Sequence, residues 1–204
     1  LSYSGPELTC QIGGLSVPES QAFRVTERKK TWKNITIQEI AQKICSRYKL
    51  SLNYNAKTIR IKSKEQSGNT DSEFLRTLCS EYGLYIKVFF GRIFIYDVAA
   101  FEAKPAALTY HINDFESWDF NTTMVGTYTG ATTTYTKGKS DAGEGKEVKI
   151  TVGGGKRLLS INEKVDDESD AKLRACAKVN EENRKAATMS VTMKAEPWLC
   201  TGMC

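Results

Sequence analysis

The fold is decided by the stretch Thr36-Ile-Gln-Glu-Ile-Ala-Gln-Lys-Ile-Cys-Ser-Arg-Tyr48. Within it, Ile40, Ile44 and Tyr48 recur at the spacing of one buried face of an α-helix. Thr36 followed three positions later by Glu39 is typical of a capping box, in which the threonine hydroxyl and the glutamate carboxylate each bind a backbone N–H of the first turn. The pattern therefore predicts a helix over residues 37–48.

The same pattern returns about 34 residues later, in Thr70-Asp-Ser-Glu-Phe-Leu-Arg-Thr-Leu-Cys-Ser-Glu-Tyr82. Thr70 and Glu73 repeat the capping box, and the matching buried stripe is Phe74, Leu78 and Tyr82. Alternating apolar residues predict that each helix is followed by a β-hairpin, formed in the first copy by residues 50–54 and 58–62. Neither helix can bury its stripe alone, so we expect one α+β domain over 36–98, with the helices packed on a small sheet made from both hairpins.

The second half of the chain, after a linker at Lys104-Pro105, is rich in Thr, Tyr, Val and Gly. Alternation predicts strands at 107–112, 118–121, 124–129, 132–137, 146–152 and 188–195, with a loop tip at 141–145. One helix is predicted at 167–187, with Leu173, Cys176, Ala177 and Asn180 on its inner face. Residues 106–204 therefore predict a β-barrel or sandwich that carries one helix.

Composition narrows the possible functions. A hydrophobic content of 40% allows ordinary cores, and charged residues interrupt the apolar segment 86–101, so no stable membrane insertion is expected. Much of the net charge of +5 lies in residues 24–33, interpreted as a solvated loop; a nucleic-acid module would show a stronger basic bias or interleaved aromatics. Cys45 and Cys79 fall on apolar helical faces and are expected to be free thiols in a reducing compartment.

The sequence offers no convincing catalytic, cofactor or metal site. The single histidine, His111, lies in a predicted strand without an obvious partner, and Gly153-Gly-Gly-Lys156 lacks the spacing of a phosphate-binding loop. The acidic run 166–170 is better explained by the start of a helix, and Cys200 with Cys204 lacks a second pair of zinc ligands. Glu39 and Glu73 are already explained as caps, so we expect a protein that is not an enzyme.

The residues quoted above resemble the late control protein D family of tailed phages. The resemblance rests on residues 36–44, on Tyr48-Lys-Leu50, on Gln66-Ser67, on Asp71-Ser-Glu-Phe-Leu-Arg-Thr-Leu78 and on Glu81-Tyr-Gly-Leu84. It covers residues 34–98 well and the β-rich half more weakly, and Lys49 departs from it by replacing the usual glycine. Members of the family are baseplate hub proteins of contractile tails, related to the VgrG spike proteins of type VI secretion.

The resemblance implies a homotrimer whose subunits each give two β-barrel domains to a ring that joins the tail tube to the spike. Residues 1–35 would hold the end of the first barrel, including a strand at 8–12, residues 36–98 an insert, and residues 106–204 a truncated second barrel. The implied partners are the chain itself and the tail tube, baseplate wedge and spike proteins, without a small-molecule substrate. The protein would be made in the bacterial cytoplasm and assembled into a phage tail or tail-like particle.

Two other function classes stay open on the sequence alone. A cell-wall-binding or hydrolase-linked module fits a protein at the tip of a tail, although no acid/base pair for hydrolysis is present. A small nucleic-acid-binding module fits the basic run near Arg28 and predicts salt-sensitive binding. Since the chain has neither an initiator Met nor a polar tail, we also expect it to be an excerpt of a longer protein.

Overall fold

A computed structural model of the chain describes residues 2–4, 9–11, 22–89, 91–137, 146–165, 167–196 and 199. These residues divide into two compact units, the first made of Leu1–Thr77 and Tyr85–Tyr96, the second of Leu78–Leu84 and Asp97–Cys204. Helices accompany several small sheets, so the predicted α+β class is confirmed. None of the described helices is long and apolar enough to cross a membrane.

The first unit holds all or most of ten elements. They are β1 (Ser2–Ser4), β2 (Thr9–Gln11), α1 (Ala22–Val25), β3 (Glu27–Thr36), α2 (Ile37–Arg47), β4 (Ser51–Asn55), β5 (Arg60–Thr70), α3 (Asp71–Glu81), β6 (Leu84–Phe89) and β7 (Arg92–Asp97). β1 pairs with β2 and β3 with β5, both antiparallel. β4, β7 and β6 form a third sheet in that order, in which β4 runs parallel to β7.

The hairpin predicted after the first helix is wrong, because its two strands lie in different sheets. β4 pairs with β7, whereas β5 pairs with β3 along nearly its whole length, from Glu27 opposite Thr70 to Thr36 opposite Arg60. In the second copy β6 and β7 are neighbours, as predicted. Alternation along a strand indicates which side chains share a face, but it does not identify the partner strand.

The structural duplication is strand, helix, strand, and it begins before each helix. Two left-handed backbone positions recur with the helices: Asn34 (φ 49°) matches Gly68 (φ 73°), and Lys49 (φ 54°) matches Gly83 (φ 69°). The unit β3, α2, β4 thus corresponds to β5, α3, β6. The basic segment interpreted as a loop is therefore mostly strand β3, and the repeat begins before residue 36.

The two helices bury the predicted stripe. Ile40, Ile44 and Leu78 have no exposed surface and Phe74 is 4% exposed, while Tyr48 and Tyr82 are partly buried at the helix ends. Cys45 and Cys79 are also fully buried. Because each apolar side chain of this size contributes roughly 1.5–3 kcal/mol when fully buried, these stripes are a main source of stability.

The second unit contains the remaining elements. They are α4 (Val98–Glu102), a 3-10 turn (Ile112–Asp114), β8 (Ser117–Thr122), β9 (Gly130–Lys137), β10 (Lys146–Gly153), β11 (Leu158–Val165), α5 (Glu168–Arg184) and β12 (Ala187–Thr192). β9 lies between β10, antiparallel, and β11, parallel. β8 and β12 form a separate antiparallel pair. The described strands form these small sheets and do not close into a barrel.

Two strand predictions in this unit are wrong, and one strand was missed. Residues 107–112 are not a strand, because the Asp114 carboxylate accepts from the His111 N–H at 2.6 Å and starts the 3-10 turn. Residues 124–129 form a turn around Gly126, whose φ of 79° interrupts extended backbone. The strand β11 was missed, since Asn162-Glu-Lys164 weakens its alternation. The loop tip predicted at 141–145 lies outside the described residues.

Helix α5 packs on the three-stranded sheet through small side chains. Ala171 and Ala175 are each 1% exposed, and Ala171 forms a cluster with Tyr135, Val148 and Ile150. The predicted inner face was therefore largely wrong: Ala177 is buried, but Leu173, Cys176 and Asn180 are exposed. Because α5 lies close to the sheet, small alanine side chains fit between them better than leucine. A prediction from hydrophobic spacing gives alanine too little weight.

Candidate assembly surface

The carboxylates that stand out in the sequence lie in matched helix caps. Glu39 Oε2 accepts from the Thr36 backbone N–H at 2.8 Å, while Thr36 Oγ1 accepts from the Glu39 N–H at 3.1 Å. Glu73 and Thr70 repeat the arrangement at 3.0 and 3.2 Å. The bonds from the threonine backbone and hydroxyl lower the pKa of both glutamates. These carboxylates are thus engaged in holding the first turns of α2 and α3.

A buried charged network surrounds Asp71, the first residue of α3. Its carboxylate has no exposed surface and accepts from the Tyr48 hydroxyl at 2.6 Å, from Gln66 Nε2 at 2.9 Å and from Arg47. Arg28 Nε lies 3.2 Å from the same carboxylate. Burial alone would raise the pKa of Asp71, but the hydrogen bonds from Tyr48, Gln66 and Arg47 outweigh it, and the pKa lies below its ordinary value.

The Asp71 network was not predicted from the sequence, although Gln66 and Asp71 belong to the residues that carry the family resemblance. It connects the end of α2, the end of β5 and strand β3 to the start of α3, where negative charge also complements the helix dipole. Four side chains converge on one carboxylate that solvent cannot reach, and one of them, Gln66, also donates from Nε2 to the Asn69 carbonyl at 3.1 Å. This geometry is that of a structural junction within the first unit.

The second unit contains the corresponding junction of the other copy. The Tyr82 hydroxyl donates to Asp170 Oδ1 at 2.6 Å, and Arg174 Nη2 pairs with Glu81 Oε2 at 2.9 Å. Burial and the bond to Asp170 raise the pKa of Tyr82, so its phenol stays a hydrogen-bond donor at neutral pH. Asp167, which belongs to the acidic run before α5, is the helix cap, because its Oδ1 accepts from the Ser169 N–H at 2.8 Å and from the Asp170 N–H at 3.4 Å.

The remaining candidates for chemistry are two buried thiols and two exposed side chains. Burial raises the pKa of Cys45 to about 11 and that of Cys79 to about 12, so both thiols are protonated at neutral pH. His111 is exposed beside the 3-10 turn, and Lys156 is exposed in the turn after β10. No group of three potential metal ligands occurs among the described side chains. Cys200 and Cys204 lie outside the described residues.

A different feature distinguishes the second unit: the ribbon of β8 and β12 presents an apolar face to solvent. In its register Trp118 lies opposite Val191 and Phe120 opposite Met189, and all four belong to one face because side chains alternate along each strand. They are exposed by 51%, 43%, 53% and 51%, respectively. The other face carries Ser117, Asp119, Asn121, Thr188, Ser190 and Thr192.

An isolated two-stranded ribbon is marginally stable in water, and a contiguous exposed patch with two aromatic side chains is typical of a protein interface. Here all twelve residues of the two strands are exposed. Both strands were predicted approximately from alternation, but their pairing, which joins Thr122 to Ala187 65 positions further along the chain, was not. The apolar face of Trp118, Phe120, Met189 and Val191 is the candidate assembly surface.

Comparisons with known proteins give a likeness of fold. No protein-family model matches the chain, and no curated protein matches it. Among solved structures, the 43 kDa tail protein of prophage MuSo2 from Shewanella oneidensis aligns with 84% of this chain at 17% identity and a TM-score of 0.55. The tail protein from Neisseria meningitidis MC58 aligns with 83% of it at 14% identity and a TM-score of 0.57. The chain spans 52% and 54% of those two structures, and it shares the fold of these parts of two bacterial tail proteins.

Proposed function

We propose that this chain is part of a structural baseplate hub subunit of a phage-type contractile tail and that it associates as a homotrimer. The observation that carries the proposal is the assembly surface on β8 and β12, in a fold shared with tail proteins. The carboxylates with the clearest roles cap helices or hold the two junctions together, so we expect the protein to act by binding other chains through its surface. The function is structural rather than enzymatic.

The assembly surface suits a ring of identical subunits. Each of β8 and β12 has one strand neighbour among the described strands, so both backbone ladders and one apolar face are open to a further chain. Covering open edges and apolar faces with a neighbouring copy is a general way for β-domains to close rings. A closed ring of three would remove every copy of the patch from water at once.

The remaining assignments belong to the same proposal. The chain before β3 contains the end of a preceding β domain, the segment from β3 to residue 98 is the duplicated insert, and residues 106–204 form the ring-forming domain. The outer partners are the tail tube, the baseplate wedge and the spike. The subunit is made in the bacterial cytoplasm and joins a phage tail or a tail-like particle.

The test is the mass of the purified chain in solution, measured by light scattering after size exclusion over a range of concentrations. We expect a species of three times the 22.8 kDa chain mass. The variant W118S/F120S should remain folded, because both side chains are already half exposed, and should dissociate to monomers. A strictly monomeric wild-type chain at the highest concentration would contradict the proposal.

A matched control separates the patch from general loss of apolar surface. Ile112 and Leu173 belong to the same unit, are exposed by 52% and 43%, and lie outside the β8–β12 ribbon. I112S/L173S should therefore keep the trimeric mass. Equal dissociation of both double variants would place the interface elsewhere.

A further inference from the structure

The antiparallel pair β3 and β5 is another two-stranded ribbon among the described strands; it buries Trp32 and Ile61, exposes most of its other side chains, and is basic. Its seven basic residues are all at least partly exposed: Arg28, Lys29, Lys30, Lys33, Arg60, Lys62 and Lys64. It contains two acidic residues, Glu27 and Glu65. We call this pair of strands the basic ribbon.

The net positive charge of the chain is concentrated on the basic ribbon. Seven basic residues against two acidic ones give the basic ribbon an excess of five, which equals the formal net charge of +5 of the whole protein. The remaining residues are therefore balanced in sign. Lysines on edge strands also discourage self-pairing, but that role does not require the entire excess charge to lie on one ribbon.

The geometry spreads the lysines over a long, narrow surface. Ten residues of β3 span about 33 Å at the usual rise of an antiparallel strand. Lys29 and Lys33 project on the face opposite to buried Trp32, across from Ser67 and Ser63, with Thr31 opposite Glu65 between them. Lys30 lies on the other face, with its Nζ 4.0 Å from the centre of the Trp32 ring.

These details favour an acidic protein over a nucleic acid as the partner. Trp32, the single aromatic residue of the two strands, is 2% exposed and gives bases no surface on which to stack. Both arginines already have internal contacts, Arg28 with Asp71 and Arg60 with the Asn34 carbonyl at 3.1 Å.

We propose that the basic ribbon is a docking surface for an acidic segment or patch of a partner protein, held by Lys29, Lys33 and their neighbouring lysines. This inference rests on the proposed hub function and deepens it. It adds a second contact surface, in the first unit, to the assembly surface on β8 and β12. Such attraction raises the rate of encounter and weakens with salt.

The experiment uses the purified 204-residue chain, a fluorescent peptide of sixteen glutamates, and a labelled DNA duplex of similar total charge, in low-salt buffer. We expect the peptide to bind and to be released by added salt. K29E/K33E should weaken its binding at least tenfold. The control K149E/K156E changes the net charge equally at exposed sites outside the basic ribbon and should change binding less than twofold.

Three results would overturn the inference. They are no binding of the glutamate peptide, equal weakening by the two double variants, or tighter binding of DNA that depends on Lys29 and Lys33. K29Q/K33Q, which removes charge without reversing it, replaces the first variant if that one does not fold. The solution mass is measured separately, so the two proposals can fail independently. A trimer that does not bind the peptide would contradict only this inference. A monomer that binds the peptide would contradict only the trimeric hub.

Discussion

The hydroxyl of Tyr82 donates a 2.6 Å hydrogen bond to Asp170 Oδ1, in the first turn of α5 and 88 positions further along the chain. The matching tyrosine of the first copy, Tyr48, donates at 2.6 Å to Asp71, the first residue of α3. The duplicated tyrosine therefore has the same task twice: at the end of one helix it binds a carboxylate at the start of another. Negative charge at a helix N-terminus is favourable by itself, so each bond strengthens an existing preference.

The first prediction concerns this contact in the second unit. Tyr82→Phe should lower the free energy of unfolding by about 1.5 kcal/mol, because the partly buried Asp170 carboxylate loses a hydrogen-bond donor. Tyr110→Phe is the control, since the described contact of Tyr110 is with the Phe115 ring and is kept by phenylalanine. Denaturant unfolding of both variants measures the difference, and equal losses would contradict the assignment.

The second prediction concerns Asp71 and pH. Asp71→Asn should cost about 2 kcal/mol at neutral pH, less than a fully enclosed ion pair, because the Arg28 and Arg47 side chains are 35% and 28% exposed. The lowered pKa of Asp71 means that its contribution is complete above the ordinary carboxyl pKa of about 3.9 and is lost as the pH falls further.

The stability gap between the wild type and Asp71→Asn should accordingly be constant from pH 7 to about pH 5 and shrink below pH 4. Urea unfolding at a series of pH values measures the gap. Glu65→Gln, at an exposed site on β5, serves as the control and should cost less than about 0.5 kcal/mol. A gap that widened on acidification would show that Asp71 is not held as a carboxylate.

The third prediction compares two glycines in left-handed turns. Gly83 (φ 69°) and Gly91 (φ 68°) have nearly the same backbone, but a Cβ at Gly83 would lie 3.3 Å from the Cβ of Ala177, while one at Gly91 would meet nothing within 4 Å. Gly91→Ala should cost about 1–2 kcal/mol from backbone strain. Gly83→Ala should cost about 1 kcal/mol more, from the crowded contact with α5. Thermal unfolding tests the ranking, and equal losses would mean that the Ala177 contact relaxes freely.

The fourth prediction uses the asymmetry of the duplication. Lys49 takes the left-handed conformation (φ 54°) that Gly83 takes in the second copy, and a non-glycine residue is strained there. Lys49→Gly should therefore stabilise the protein by about 0.5 kcal/mol, after subtracting the greater freedom of glycine in the unfolded chain. Lys57→Gly, at an exposed loop residue outside the left-handed region, should be neutral or destabilising. Destabilisation by Lys49→Gly would show that the lysine side chain makes a contact worth more than the strain.

Much of the first unit was predictable because its signals are local. Hydrophobic spacing and the capping boxes located α2 and α3 to within one or two residues, and the offset between Thr36 and Thr70 revealed the duplication. Strands β4, β6 and β7 were located as well, but β3 was interpreted as a loop, β5 was predicted too short, and the hairpin between β4 and β5 was wrong. The backbone N–H and C=O groups of a strand can form hydrogen bonds with any strand that offers an open edge. In the folded chain β4 pairs with β7 and β5 pairs with β3.

The second unit was harder to predict because its stability depends on contacts far apart in sequence. β11 has weak alternation and exists as the parallel neighbour of β9, and the inner face of α5 is made of alanines that only a close sheet requires. The assembly surface combines residues 117–122 and 187–192, each unremarkable in isolation. Its four apolar side chains become a patch only when the register places them together.

The sequence by itself determined the α+β class, the two capped helices and the family resemblance, since caps and helical stripes arise from interactions over three or four residues. The tertiary structure alone decided that Tyr48, Gln66, Arg47 and Asp71 form one buried network, and that the charges of β3 and β5 share one ribbon. The physical reason is that strand pairing and ion pairing between distant residues depend on where the whole chain folds, and no local spacing records that choice.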